Sequence, residues 1–389
     1  MAHKNIFFQQ LQQQISRHVF ENLEKRFYSG NSTRKYSHKS HLTFWLFIHF
    51  MKITSLRSGV EKLNACASRI YHLGMKHELK LATVSEANKK RTADFYREIF
   101  HILLSDLRRK HQKKFENVIR ILDSSYVTSA DKRMAWAKYN STHHAIKIHL
   151  ELEATNNIPL ALDLTDGKVA DITILKNKKY EAGSIVIMDR AYFCSKTWYK
   201  HHKNGVIMVS RLKKDLIYTT LTEKTPDESE QTSKNARIIS EKIIQLMGPQ
   251  SQQFCEHLRV ITVDYKTRDG ESIEIVTNDL KSSAAQIADL YKQRWQIEVF
   301  FKWIKQHLKI KRFLGFNSNA VWIQIWTAMI AYLLIWKYYH EQRIAQKDKI
   351  TIFQFLTRVQ MILFIPDDTI RFSKKPKPPN LTALLFEKS

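Results

Sequence analysis

Three acidic residues in this chain stand where a carboxylate can be aimed. Asp123 follows the apolar run Val118-Ile119-Arg120-Ile121-Leu122, and Asp189 follows Ser184-Ile185-Val186-Ile187-Met188. Short apolar runs of this kind read as strands, and the second is continuous enough to be covered on both faces. Neighbouring strands would bring both carboxylates out at one end of a sheet. Glu298 lies in a stretch from Tyr291 to Lys305 that has no Gly or Pro and reads as helix. Three carboxylates converging on an open site suit Mg2+ or Mn2+, which prefer oxygen ligands and keep waters. Two such ions about 4 Å apart can activate a water or a 3′-hydroxyl and stabilise the leaving oxygen of an in-line phosphoryl transfer. Taken singly, a strand-end Asp is more ordinarily a turn residue; the joint arrangement points to nucleic-acid chemistry.

The Glu298 stretch carries more than one polar group. At about 100° per residue, Arg294, Glu298 and Lys305 fall within roughly 60° of Tyr291 on a helical wheel, along a stripe about 21 Å long. Ile297, Phe300, Phe301, Ile304 and Leu308 make the adjacent apolar stripe of a core-facing helix. The plainer alternative is a surface helix in which Glu298 pairs with Arg294 and Lys302, each pair contributing about 0.3–0.5 kcal/mol.

These positions need a scaffold, and the chain supplies a mixed one. Residues 1–105 look all-helical. Phe7 to Phe27 reads as one amphipathic helix, and Leu42 to Met51 is apolar enough to be buried. Thr83-Val84-Ser85-Glu86 matches a capping box that starts a helix opening with Asn88, Lys89, Lys90 and Arg91. That region is either a DNA-reading helix-turn-helix or a bundle with a solvated charged face. After a linker or long helix from Phe95 to Lys114 come three strands in a meander, the second alternating through Ile146, Ile148, Leu150 and Leu152. A helix over 170–180, the Asp189 strand, a helix over Ser195 to Lys203 and a strand over Val206 to Ser210 complete a mixed α/β sheet. Residues 212–277 read as a β-rich insertion, with an acidic loop at Thr225-Pro226-Asp227-Glu228-Ser229-Glu230 and a hairpin turned at Arg268-Asp269-Gly270. Helices over Val321 to Tyr339 and Ile350 to Leu363 precede a basic tail at Lys374-Lys375-Pro376-Lys377-Pro378-Pro379. The expected domains are 1–105, 106–340 and 341–389.

Composition narrows the class. Against 37 Asp+Glu stand 63 Lys+Arg, a net charge of +26 spread along 389 residues, and 43% of the residues are hydrophobic. A folded chain this basic usually meets a polyanion, with nucleic acid first and a membrane surface second. Cys66, Cys194 and Cys255 lie far apart with no ligand spacing, so a structural zinc site is not expected, and the pairs His143-His144 and His201-His202 read as surface residues. The Gln-rich start has no signal-peptide run and Ala320 to Trp336 reads as a buried helix; with an odd number of cysteines, a reducing cytoplasm away from the membrane is expected.

The spacing Tyr291-(2)-Arg294-(3)-Glu298-(6)-Lys305 resembles the Y-R-E-K signature of DDE transposases of the insertion-sequence family four. Met188-Asp189-Arg190-Ala191-Tyr192 resembles the segment around that family's second Asp, and Ile121-Leu122-Asp123-Ser124-Ser125 its first. The likeness covers about 115–340, and the helical start resembles the small domain ahead of many members' cores. It implies an RNase H-like α/β core with a β-rich insertion. It also implies cut-and-paste transposition: nicking at the element's ends, attack of the freed 3′-hydroxyl to form a hairpin, hairpin opening and strand transfer. In this reading Asp123, Asp189 and Glu298 hold Mg2+, with Mn2+ able to substitute, and Tyr291, Arg294 and Lys305 contact DNA. Arg190 and Arg211 are further DNA contacts, and the enzyme works as a homodimer on paired ends. One departure stands out. Some relatives stack a flipped base on a Trp of the insertion, yet no Trp lies between Trp198 and Trp295, so Tyr265 or another surface must serve. Two other readings remain at this stage: an RNase H-fold nuclease without strand transfer, and a catalytically inactive DNA-binding derivative.

Overall fold

The computed structural model describes residues 6–28, 36–66, 73–75, 77–110, 118–129, 131–137, 139, 144–225, 236–250, 252–254, 256–265, 272–307, 313–342 and 350–365. The basic tail, the turn at Asp269-Gly270, the loop beyond Thr225, Cys255, His143 and Leu308 lie outside them. In chain order the helices are α1 Phe7–Gln13, α2 Arg17–Phe27, α3 His38–Phe50, α4 Leu56–Ala65, α5 Leu81–Lys90 and α6 Ala93–Lys110. Next come β1 Ile119–Ser129, β2 His144–Glu153, β3 Ile158–Asp166, α7 Asp171–Asn177, β4 Ile185–Met188, α8 Ser195–Lys203 and β5 Ile207–Arg211. They are followed by β6 Tyr218–Lys224, β7 Arg237–Leu246, β8 Leu258–Asp264 and β9 Ile273–Thr277. Last are α9 Ala284–Lys292, α10 Trp295–His307, α11 Ser318–Glu341 and α12 Ile352–Ile362. The chain divides into two compact units, Arg108–Lys302 and the rest. The chain from Trp303 groups with the N-terminal helices, where α11, apolar all round, packs with α3 and α5.

Within the helical unit the local signals needed correction. The expected helix from Phe7 to Phe27 breaks after Gln13, where the Ser16 hydroxyl accepts from Val19 N and caps α2. The capping-box residues Thr83 and Glu86 sit inside α5, which starts at Leu81 behind Lys80. Asn88, Lys89, Lys90 and Arg91 therefore end that helix rather than open one. Asn88 Oδ1 takes hydrogen bonds from His41 Nε2 (2.9 Å) and Trp45 Nε1 (3.1 Å), and the buried Arg91 donates to the Tyr36 and Ser37 carbonyls. Two of the four polar residues thus serve the core, leaving Lys89 and Lys90 exposed. Among the described residues α11 is the one helix long and apolar enough to cross a membrane, and 83% of its most apolar window is buried.

The other unit is built on a nine-stranded sheet in the order β3-β2-β1-β4-β5-β9-β8-β7-β6. β1 to β3 form an antiparallel meander, and β1, β4 and β5 run parallel, joined by the β4-α8-β5 crossover. This is the mixed α/β, RNase H-like core. The insertion does not stand apart from it: β9 pairs antiparallel with β5, so β6 to β9 prolong the same sheet. An unpaired β5 edge would leave a row of backbone donors and acceptors, and β9 satisfies them. Leu122, Val186, Met188 and Met208 pack with Leu175, Trp198, Leu258 and Val276 in one apolar cluster on one face.

β2 departs from a half-exposed strand. Its apolar residues alternate as expected, but Lys147, His149, Glu151 and Glu153 on the other face are also buried, at 1–4% exposure. They persist there because they are paired. Lys147 Nζ lies 2.8 Å from Asp171 Oδ2 at the start of α7, and Arg120 lies 2.6 Å from Glu151. His201 is likewise buried, and His202 binds Glu256 at 2.5 Å, so that pair is not the surface feature its sequence suggested. Burial favours protonating Asp171, but hydrogen bonds from His149, Lys147 and Ser124 outweigh it and hold the carboxyl below its ordinary range. Asp171→Asn leaves the Lys147 charge buried and should cost about 3–5 kcal/mol at neutral pH. A lowered folded pKa contributes stability above the unfolded value, and that stability is lost as pH falls, so the deficit of the variant should shrink below pH about 4. Urea unfolding of both proteins across pH measures this.

Candidate active site

The site begins with strand register. β1 and β4 pair in parallel from Ile119↔Ile185 to Leu122↔Met188, so Asp123 and Asp189 are the next residues on adjacent strands, about 4.8 Å apart in the pairing direction. Leu122 and Met188 point into the apolar cluster, and side chains alternate along a strand, so Asp123 and Asp189 share the opposite face. β1 does not end at Asp123, as its sequence implied. β2 goes on pairing with it to Ser129, while β4 stops at Met188. Asp123 is therefore held in a continuing strand, where its Oδ1 accepts from Ser124 N at 2.7 Å.

Glu298 comes from the first turn of α10, where the positive end of the helix dipole favours a carboxylate. The stretch from Tyr291 to Lys305 is not a single helix. α9 ends at Lys292 and α10 starts at Trp295, and the backbone bonds Arg294 N→Tyr291 O and Ile297 N→Arg294 O, three residues apart, tighten the chain between them. With no Gly or Pro there, the sequence offered no signal of the break. The turn carries Arg294. Its Nη1 lies 3.3 Å from Asp123 Oδ2 and its Nη2 2.5 Å from Glu298 Oε1, so one guanidinium joins two carboxylates from distant parts of the chain.

The electrostatics follow from this crowding. Burial, offset in part by the Ser124 amide and Arg294, and reinforced by Asp189 and Glu298, pushes the Asp123 carboxyl up to about 6. Asp189 is thus within electrostatic reach of Asp123. Burial opposes the charge of Arg294, but Tyr291, Glu298 and Asp123 together raise its pKa. The Tyr291 phenol is raised by burial and by Asp189, against Arg294 and Arg211. Arg211, the last residue of β5, therefore belongs to this neighbourhood, as does Arg190 in the turn directly after Asp189. Tyr291 is only 5% exposed, with the Arg294 guanidinium 5.8 Å from its ring centre, so it backs the arginine rather than facing outward. Lys305 lies further along α10, past the Lys302 boundary of this unit.

The donor set is all carboxylate oxygen, which fits a hard divalent cation. Among the described residues no three His, Cys, Asp or Glu side chains stand close enough to hold an ion together. Asp123 and Glu298 are spaced by the guanidinium between them.

One aromatic residue escaped the sequence reading. Trp295, the first residue of α10, is 64% exposed and stands one turn ahead of Glu298. Its position beside Arg294 was visible, but a Trp at helical spacing reads first as core. Tyr265, the alternative considered, has its hydroxyl committed to the Ala288 carbonyl at 2.8 Å.

A raised folded pKa for Asp123 means that its contribution to stability is present below the unfolded value near 4 and is lost as pH rises through about 6. Asp123→Asn mimics the neutral carboxyl. In EDTA-treated protein without DNA it should melt above the native protein at pH 7–8, and the gain should vanish near pH 4.

Residues 114–334 match the family described as "Transposase DDE domain", and residues 3–76 match a domain of unknown function, DUF4372. A protein named as a transposase, y4zB of Sinorhizobium fredii, is 33% identical over 300 residues, covering 76% of this chain and 81% of that one. One named as the transposase of insertion sequence element IS5377, from Geobacillus stearothermophilus, is 27% identical over 311 residues, covering 79% of this chain and 78% of that one. Among solved structures, the piggyBac transposase synaptic complex with hairpin DNA overlaps at TM-score 0.42 and 8% identity, across 95% of this chain and 84% of that one, a likeness too loose to bear on function. With the domain match spanning more than half of its length and a relative one-third identical over three quarters of it, this chain belongs to the DDE transposases, and it is a DNA transposase.

Proposed function

We propose that this protein moves an insertion sequence by the hairpin-forming cut-and-paste route of the insertion-sequence family four, using Mg2+, with Mn2+ able to substitute. What supports the reading is that Asp123 and Asp189 directly follow the last paired residues of two parallel strands, and that Arg294 links Asp123 to Glu298. A divalent cation bound by these carboxylates supplies activation of the attacking oxygen and stabilisation of the leaving one. Asp123, Asp189 and Glu298 are its ligands in this reading.

The remaining residues position DNA. Arg294, Arg190 and Arg211 offer guanidinium forks to phosphates beside the cleaved bond, with Tyr291 backing Arg294. Lys305 takes the non-transferred strand. The exposed Trp295 indole offers an aromatic face on which an unstacked base can rest. The +26 charge supports a long polyanionic partner. Joining two ends calls for two copies of the chain, and the bacterial nucleoid is where the substrate lies.

Glu298→Gln should keep binding to the element's terminal duplex, read by gel shift, and lose nicking by at least about a thousandfold, the scale of removing a group that acts in the transition state. Nicking at the native rate would sink the assignment. Binding should also weaken steeply between 50 and 200 mM salt, by about a hundredfold or more, since phosphate contacts release counterions. A flat dependence would mean that phosphate is not the main contact.

A further inference from the structure

Arg294 does more in this fold than an ordinary surface arginine. It reaches two carboxylates on separate elements, Asp123 on β1 and Glu298 on α10, which are 175 residues apart in the numbering. It gives each one nitrogen instead of gripping either with both. The bidentate fork is the stronger arrangement, so each single contact is one that another cation can replace. The Nε of Arg294 is buried and makes no hydrogen bond among the described residues. The side chain is thus anchored through its terminal nitrogens on the two carboxylates, with the Tyr291 phenol interacting from beneath. An arginine does not lose its proton at any working pH. Its positive charge leaves the carboxylates only by rotation of the side chain, and the tight turn between α9 and α10 sets where that rotation begins.

We propose that Arg294 holds the divalent-cation seat of Asp123 and Glu298 until DNA draws it away, so that metal loading depends on DNA. This rests on the reading of the two carboxylates as metal ligands. The nitrogens of Arg294 engage an oxygen on each residue, Asp123 Oδ2 and Glu298 Oε1, that a shared cation would need. A cation seated between those two oxygens would stand where the guanidinium stands, so the two compete for them. While Arg294 is in place, it neutralises part of the repulsion among Asp123, Asp189 and Glu298. A DNA phosphate offers the guanidinium a planar pair of acceptors that it can take bidentately, which a single oxygen on each of two carboxylates does not. Binding an end then turns Arg294 outward and frees both carboxylates together. The device would keep a nuclease-type centre unloaded when no end is bound.

The test uses full-length protein stripped with EDTA, without DNA, titrated with Mn2+ and followed by electron paramagnetic resonance. If Arg294 occupies the seat nine tenths of the time, removing it should tighten apparent Mn2+ binding about tenfold. Arg294→Gln is expected to show that gain, and the double variant Asp123→Asn with Arg294→Gln is expected to lose it. Equal or weaker binding by Arg294→Gln, with the native protein binding Mn2+ well, overturns the inference and leaves the carboxylates as ligands. Failure of every form to bind Mn2+, with or without a terminal-repeat duplex, overturns the metal reading itself. A second measurement needs no variant. In native protein labelled at arginine side chains, the slowly rotating guanidinium signal of a held arginine should become fast-rotating on adding the duplex. An unchanged signal in the bound complex overturns the gating role.

Discussion

Carboxylates brought side by side repel one another, and the architecture of this protein answers that constraint. Asp123 and Asp189 are forced together by the pairing of β1 with β4, and Glu298 is added from a helix. The backbone hydrogen bonds of two parallel strands do not depend on what the side chains carry, so register can hold like charges close where side-chain preferences alone would part them. The Asp123 carboxyl is pushed up to about 6, mainly by burial, with Asp189 and Glu298 adding the smaller shares. Arg294 supplies a positive charge that offsets this, and it does so from a turn rather than from the middle of a helix.

The two faces of the first strands divide the work. On one, Asp123 leaves the sheet toward the site. On the other, Ser124 points toward Asp171, which is held by Lys147 and His149 in a buried polar network. Successive residues of β1 thus face opposite sides: Asp123 the candidate site and Ser124 the buried network that ties the strand. Buried ion pairs add little net stability against apolar packing, yet breaking one is expensive. A strand tied in this way is hard to shift, which suits a residue whose oxygen positions matter.

The insertion shows a related economy. Strands β6 to β9 extend the catalytic sheet through the β5–β9 pair, so Arg211 at the end of β5 is held by Ile275 of β9 and comes within electrostatic reach of Tyr291. The insertion thereby reaches the site through backbone pairing, whatever its outer strands do. The transposase DDE match spans this whole stretch, insertion included.

Much of this was legible in the residues. Apolar runs, period-two alternation and the ends of the meander gave the strands that carry Asp123 and Asp189, and the crossover helix over Ser195 to Lys203 was read with its observed bounds. Local periodicity carries that information because it reports which face of an element is buried. What depended on partners far away in sequence was hidden. The run of β1 beyond Asp123 is decided by β2, the burial of Lys147 and Glu151 by Asp171 and Arg120, and the role of Asn88 by His41 and Trp45. The break between α9 and α10 carries no Gly or Pro to mark it. The amino-acid order by itself settled which groups were available for chemistry and roughly which elements bore them. Only tertiary pairing decided that two aspartates fall in register and that one arginine stands between Asp123 and Glu298, because strand register and ion pairing are properties of segments that meet in space, and no local pattern encodes the meeting.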